Sequence, residues 1–346
     1  MNSFAPMLQL VLCNLKGFLR EPEAIFWTYG FPLLMVIGLG IAFSSSSGQS
    51  IQFDVVEGPG AQKVVQAMAH NRGFKVKVSP EEEGLARLRT NRTLVVVAPL
   101  ETGGFEYYFD PSNPESKAAR TAVDDALQRA AGRKDVFASE EVRVEAPGSR
   151  YVDFLVPGLI GMNIMGGGMW GIGFTLVDMR IKKLLKRLLA TPLRRPHFLL
   201  SLVGMRLVFF VPEAFVLLLF AYLIFQVPIR GSIFAISVVA FLGSLAFCGL
   251  GLLAASRAQR IETISGIMNV VMLPMWLCSG IFFSSERFPD FMQPMIQALP
   301  LTQVINALRA VILEGHSLLS QAMPMAILLA WAAVSFALAL KWFRWS

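Results

Sequence analysis

Apolar residues fall in long unbroken runs along most of this chain. Five stretches carry no Asp, Glu, Lys or Arg: Ala24 to Phe53, Phe154 to Val177, Gly231 to Ser256, Thr263 to Ser285 and Gly315 to Leu340. A sixth, Leu207 to Ile229, is interrupted only by Glu213. A membrane-crossing helix needs about 20 apolar residues, so the pattern predicts six spans. Ahead of the first, Phe4, Met7, Leu8, Val11, Leu12, Leu15, Phe18 and Leu19 recur at helical spacing, with Gln9, Asn14, Lys16 and Arg20 between them. That spacing predicts an amphipathic helix over residues 1–23 lying in the membrane surface.

Between the first two runs the period changes. IQFDVV (51–56), FKVKV (74–78), TLVVVA (93–98) and FEYYF (105–109) read as strands. Helical spacing falls at about 60–70, from Pro80 to Arg89, and from Glu115 to Ala131. Residues 48–150 are therefore expected to form a small α/β domain inserted after a first span at 24–47. The run PSNPESK supplies turn and cap chemistry, with Ser112 or Asn113 before the last helix.

Composition agrees with a membrane protein: 346 residues, 54% of them hydrophobic, exceeds what an ordinary soluble domain carries. The start lacks the basic, short-apolar and small-residue pattern of a cleaved signal, so the first span is expected to persist. Cys13, Cys248 and Cys278 lie in apolar or interfacial sequence and suggest neither a disulfide framework nor a metal site. His197 and His316 have no partner set for catalysis or metal binding.

Charge assigns the sides. Residues 48–150 hold 14 Lys/Arg and 15 Asp/Glu, whereas the rest hold 17 Lys/Arg against 9 Asp/Glu. Positive charge in short loops marks the cytoplasmic face. The loop after span two, Arg257 and Arg260 after span four, and Lys341 and Arg344 at the end all share one side if six spans alternate. Both termini are thus expected in the cytoplasm and the insertion outside. Residues 151–346 then hold spans two to six.

The densest positive charge, seven Lys/Arg between Arg180 and Arg195, is also ordered. Ile181, Leu184, Leu185, Leu188 and Leu189 repeat at helical spacing, leaving Lys182, Lys183, Lys186 and Arg187 on another face until Pro192 stops the helix. A basic amphipathic helix of this kind rests on anionic lipid or docks in another protein's groove.

Nothing matches G-x-x-x-x-G-K-[ST], so energy for any transport must come from a partner or an ion gradient. Gly167 with Gly171 forms a GxxxG pair suited to close helix packing, with a hinge as the alternative. Glu213 is an acid inside a span, and such a carboxylate is a functional candidate. Arg206, Arg257 and Arg260 are its available partners, and it is placed near the inner end of span three. Pro289, Pro294 and Pro300 forbid one straight helix through 288–300, so about 286–314 is expected to be either a broken segment held within the protein or lining a cavity, or an ordinary outer loop with a surface helix.

Two segments, LLKRLLATPLRRPHFLL and NVVMLPMWLCSGIFFSSERFPDFMQPMIQALPLTQVINALRAVI, together resemble the ABC-2 type transporter permease family. The matching positions are Leu188, Thr191, Pro192 and Leu193, then Pro274, Ser279, Gly280, Phe282, Phe283, Pro289, Leu299, Pro300, Leu301, Thr302 and Arg309. The resemblance implies that about 180–193 is a cytoplasmic coupling helix touching an ABC ATPase, with Lys183 and Arg187 on its basic face. It implies that the later segment forms the fifth span followed by an outer re-entrant segment, about 286–314, that serves as a gate. The stretch from Asp178 to Lys183 departs from the family's acidic, glycine-containing turn, which suggests a more acidic docking surface on the ATPase.

The resemblance further implies the permease subunit of an exporter, not itself an enzyme, moving a hydrophobic or amphiphilic drug or lipid. ATP and Mg would be held by the ATPase subunit. A second copy or a paralogous permease would complete the pathway among lipids of a bacterial-type inner membrane, with no nucleic acid involved. The rivals are an ion-coupled secondary transporter using Glu213, which would carry an inverted repeat, and a membrane-anchored sensor with an outer ligand-binding domain.

Overall fold

The computed structural model describes residues 20, 22–44, 50–69, 71, 73–100, 104–134, 150–189 and 195–343. The expected surface helix over 1–23 lies almost wholly outside the described residues. The chain divides into two compact units, Ser45–Val144 and a second formed by Met1–Ser44 with Glu145–Ser346.

The inserted unit carries four strands, β1 (Ile51–Val56), β2 (Phe74–Ser79), β3 (Val95–Pro99) and β4 (Phe105–Phe109), in the order β2-β1-β3-β4. β1 pairs in parallel with β2 and β3, and β4 runs antiparallel to β3 with Val96 opposite Tyr108. The intervening helices are α2 (Ala61–Met68) and α3 (Glu81–Arg89), with α4 (Pro114–Ala130) after β4. The label α1 belongs to Phe31–Ser44 in the other unit. Strand alternation sends Phe53, Val55, Val95 and Val97 to one face, where Val64, Met68, Ala119, Val123 and Leu127 of α2 and α4 cover them. Asp54 is buried among the strands, 3.1 Å from Arg87 Nε of α3, and Ser79 Oγ donates to its carboxylate at 3.3 Å. The Asn113 side chain caps α4, accepting from the N–H groups of Glu115 (2.9 Å) and Ser116 (3.5 Å).

The second unit is helical. Among the described residues five helices are long and apolar enough to cross a membrane: α5 (Tyr151–Ile181), α7 (Arg195–Phe225), α8 (Ile233–Ala255), α9 (Ile261–Cys278) and α12 (Ala322–Trp342). A sixth crossing exists if α10 (Gln293–Ala298) and α11 (Pro300–Ile312) count together; the segment Asp290–Ala298 meets α11 at 86°. Leu299 between them is extended, and Pro300 opens α11 where its missing N–H costs nothing. The expected break within 286–314 is present.

The first apolar run follows a helical path from Pro22 through a π-turn at Phe26–Gly30 into α1, with Phe26–Ile41 its apolar part among the described residues; residues 45–47 of the expected span lie outside the described residues. It runs antiparallel to α5, with Gly40 against Val152 and Phe225 and Asn163 donating to the Thr28 carbonyl at 3.3 Å.

α5 is the centre of this unit. Leu155, Leu159, Ile164, Met165 and Leu176 are fully enclosed, and α7, α8, α9, α11 and α1 all pack on it. The closest helix approach is to α8, because a Cβ at Gly251 would stand 2.7 Å from the Gly168 carbonyl oxygen and 2.9 Å from Met169 Cα. Only glycine allows that approach.

The ends of the helices assemble in two sets. Arg150, Phe225, Gly280, Phe282, Arg230 and Ile312 meet at one end. Arg180, Ala255, Ala258, Trp342 and Phe343 meet at the other.

Candidate functional site

Three places hold the residues singled out by sequence, and the first is the basic turn after α5. A single helix from Arg180 to Ala190 does not form. α5 continues to Ile181, Lys182 and Lys183 make a turn, and a separate helix, α6 (Leu184–Leu189), begins after it, with Ala190 outside the described residues. Lys183 has φ +56°, a left-handed conformation that caps α5. Lys183 and Arg187 thus do not share one helix face, although the Arg187 N–H reaches the Lys183 carbonyl at 3.4 Å. Leu185 is buried against the bundle, whereas Lys183, Lys186, Arg187 and Ile181 are exposed. Lys182 pairs with Asp178 at 2.8 Å. Thr191, Pro192 and Leu193 lie outside the described residues, as does the side chain of Leu188.

Arg180 leaves the basic surface altogether. Its guanidinium donates to the carbonyls of Ala255 (2.9 Å), Ser256 (3.3 Å) and Ala258, and stands 5.4 Å from the Phe343 ring centre. The Ala255 carbonyl is one that the end of α8 leaves without a helical partner, and those of Ser256 and Ala258 belong to the turn that follows.

The second place is inside the bundle. Arg206 Nη2 donates to Glu213 Oε2 at 2.7 Å, and the carboxylate is fully buried. The expected position near the inner end is corrected: α7 begins at Arg195, twelve residues before the apolar run, so Glu213 sits near the middle of the helix. Gly167 and Gly171 face this pair. A Cβ at Gly167 would collide with the Arg206 guanidinium, and one at Gly171 would touch Arg206 Cδ at 3.6 Å. The GxxxG pair therefore receives an arginine, and the close backbone approach falls one residue along, at Gly168.

The third place joins α5, α9 and α11. Arg309 donates to the Phe154 carbonyl (3.2 and 3.4 Å) and to that of Gly280, and its Cζ lies 3.6 Å from the Phe154 ring centre. Gly280 has φ +83°, which turns the chain out of α9. Tyr151 donates to the Phe282 carbonyl at 3.0 Å. Ser279 is buried beside Gly280, and the Phe283 and Phe288 rings lie 5.8 Å apart. Gly280, Phe282 and Arg309 are thus gathered on the start of α5. Pro274 and Pro289 are exposed and apart from this cluster, while Pro300 is buried at the start of α11. Sequence reading missed Phe154, Tyr151 and Gly251, since an aromatic or glycine inside an apolar run gives no separate signal.

Charge divides between the ends of the bundle. Lys182, Lys183, Lys186, Arg187, Arg257, Arg260 and Lys341 are exposed at one end, against Asp178 and Glu262. The other end mixes Arg150, Arg230 and Arg287 with Glu286, Asp290, Glu314 and Asp153. Among the described residues, no three His, Cys, Asp or Glu side chains group as a metal site would need.

Apolar helices around a glycine-lined central span, a broken segment at one end and a basic turn at the other define a multi-pass helical membrane protein. The family model described as ABC-2 family transporter protein matches residues 22–341, and the chain belongs to that family. Over 174 residues the chain is 29% identical to ABC transporter G family member 20 of Dictyostelium discoideum, covering 50% of this chain and 24% of that one. Over 164 residues it is 25% identical to the inner membrane transport permease YadH of Escherichia coli K12, covering 47% of this chain and 63% of that protein. The chain thus matches about a quarter of one relative's length and under two thirds of the other's.

Proposed function

We propose that this chain is the permease subunit of an ATP-driven exporter for a hydrophobic or amphiphilic substrate of the drug or lipid class. The observation that carries the reading is the asymmetry of the bundle: a basic end built around α6, and an opposite end closed by the broken α10–α11 segment on Arg309. A separate ABC ATPase holds ATP and Mg and docks on the exposed Lys183, Lys186 and Arg187 of the turn and α6. A second copy, or a paralogous permease, completes the pathway.

Positive charge selects the cytoplasmic side, so the basic end and both termini face the cytoplasm of a bacterial-type inner membrane. The chain leaves α1 and returns at Arg150 at the other end of the bundle, which supports an extracytoplasmic place for residues 48–150. Single cysteines at Asn113 and at Lys186 of a Cys-free variant test this directly. An impermeant thiol reagent on intact cells should modify position 113 and spare 186; the reverse pattern would invert the topology and remove the docking surface from the ATPase's reach. Replacing Lys186 and Arg187 by Glu should then reduce co-purification of the ATPase while insertion is preserved.

A further inference from the structure

The interactions of Arg180 tie together four parts of the basic end. It belongs to the last turn of α5, three residues before the left-handed Lys183 and four before α6. Its guanidinium binds carbonyls at the end of α8 and in the turn that leads into α9, and it lies against Phe343 just beyond α12. Arg257 of the same turn lies 5.9 Å from the Trp342 ring centre, adding a second link to the end of α12. The carbonyl partners Ala255, Ser256 and Ala258 are all buried.

A guanidinium that bonds several fixed carbonyls transmits displacement better than apolar side chains, which slide past one another, because its planar fork holds direction as well as distance. α6 joins α5 through two residues only, with Leu185 anchoring it to the bundle. Movement of α6 therefore reaches the last turn of α5 first, and Arg180 is the polar link from there to the α8–α9 turn. α9 starts at Ile261 and ends at Cys278, next to Gly280, which Arg309 holds. A continuous path runs from the basic turn through Arg180 and α9 to the broken segment at the far end.

We propose that Arg180 is the positioning residue through which movement of α6 is passed to α9 and so to the α10–α11 segment. The coupling role rests on the docking reading above; the mechanical link itself does not. Spin labels at Lys186 and Glu262 of the full Cys-free chain, in nanodiscs of phosphatidylethanolamine and phosphatidylglycerol, measure the link without an ATPase. Arg180→Gln should broaden the 186–262 distance distribution, Arg180→Lys should broaden it less, and a control pair at Ser232 and Arg287 should stay unchanged. An unaltered 186–262 distribution, or equal broadening of both pairs, would overturn the link. In the complex with the co-purified ATPase, ATP with vanadate should alter label mobility at both 186 and 262 in the parent and only at 186 in Arg180→Gln. A response at 262 that survives Arg180→Gln would overturn the routing. No response at 186 in the parent would overturn the docking reading and the coupling role with it, whatever the distances show.

Discussion

The Arg309 Cζ stands over the Phe154 ring, 3.6 Å from its centre, while the guanidinium also donates to the carbonyl of that same residue. One side chain therefore reads both the ring and the backbone at the first turn of α5. Desolvated cation–π contacts contribute about 2 kcal/mol, and the carbonyl bonds add to that. Arg309→Lys, which keeps the charge and loses the fork, should lower the apparent melting temperature in detergent. Phe154→Leu should cost about 1 to 2 kcal/mol, and the double variant should cost less than the sum of the two. Additive losses would show that ring and guanidinium are independent.

Glu213 and Arg206 form an ion pair within a span, where removing one partner leaves a charge without compensation. Breaking such a buried pair costs about 3 to 5 kcal/mol. Glu213→Gln should accordingly reduce folded yield, with nucleotide-driven activity retained in the protein that folds, and Arg206→Met added to it should recover part of the loss. Well-folded Glu213→Gln protein that has lost transport together with its pH dependence would instead identify a proton site.

Lys183 separates charge from conformation. Its left-handed backbone costs a non-glycine residue about 1 to 2 kcal/mol, so Lys183→Gly should raise the apparent melting temperature and Lys183→Val should lower it. If Lys183 serves docking through charge, Lys183→Gly will weaken ATPase co-purification despite being the more stable variant. Equal co-purification would assign this residue to the turn alone.

Glycines in the bundle are unequal, and alanine substitution distinguishes them. Gly251→Ala places a methyl group against backbone atoms of α5 that cannot yield, whereas nothing lies within 4 Å of a Cβ at Gly166. Gly251→Ala should prevent assembly of α8 on α5 and abolish the monodisperse peak in size-exclusion chromatography. Gly166→Ala should behave as the parent.

Two carboxylates of the inserted unit give it an acid limit. Hydrogen bonds from the Ser112 hydroxyl and N–H hold Asp110 below its ordinary value, and the Lys77 ammonium does the same for Glu83. A folded-state value below the unfolded one means that the contribution is present above the unfolded pKa and is lost as pH falls through the folded one. Hydrogen exchange at the start of α4 should therefore accelerate below about pH 4, and Asp110→Asn should remove that dependence there. An unchanged acid response in Asp110→Asn would place its origin elsewhere.

Most elements were legible because each rests on a repeating pattern. The strands of the insertion alternate, so IQFDVV and FEYYF fall where β1 and β4 lie, and unbroken apolar runs mark α5, α8 and α12. The breaks were less legible. Nothing in the pair Lys182–Lys183 announces a left-handed turn, so the basic residues read as one helix and Arg180 was grouped with them by charge. Its true register follows α5, whose length no apolar count reveals because the final turn is polar. Glu213 was displaced for a related reason: Arg206 truncated the apolar run and hid the first twelve residues of α7. The Arg309 cluster was visible only as a family motif, since its partners are mostly backbone carbonyls, which carry no identity in a sequence.

The central position of α5 has a consequence for how the protein is made. The glycines that let α8, α9 and α11 approach it leave it with the lowest mean hydropathy of the five long helices. A translocon sorts each segment by its own partition free energy, so the helix on which the others pack is the one least able to stay in lipid unaided. α7 and α8, far richer in apolar side chains, partition readily but are synthesised later. Biogenesis must therefore hold α5 until its neighbours arrive, and a nascent chain arrested just after α5 will be the form most exposed to quality-control proteases.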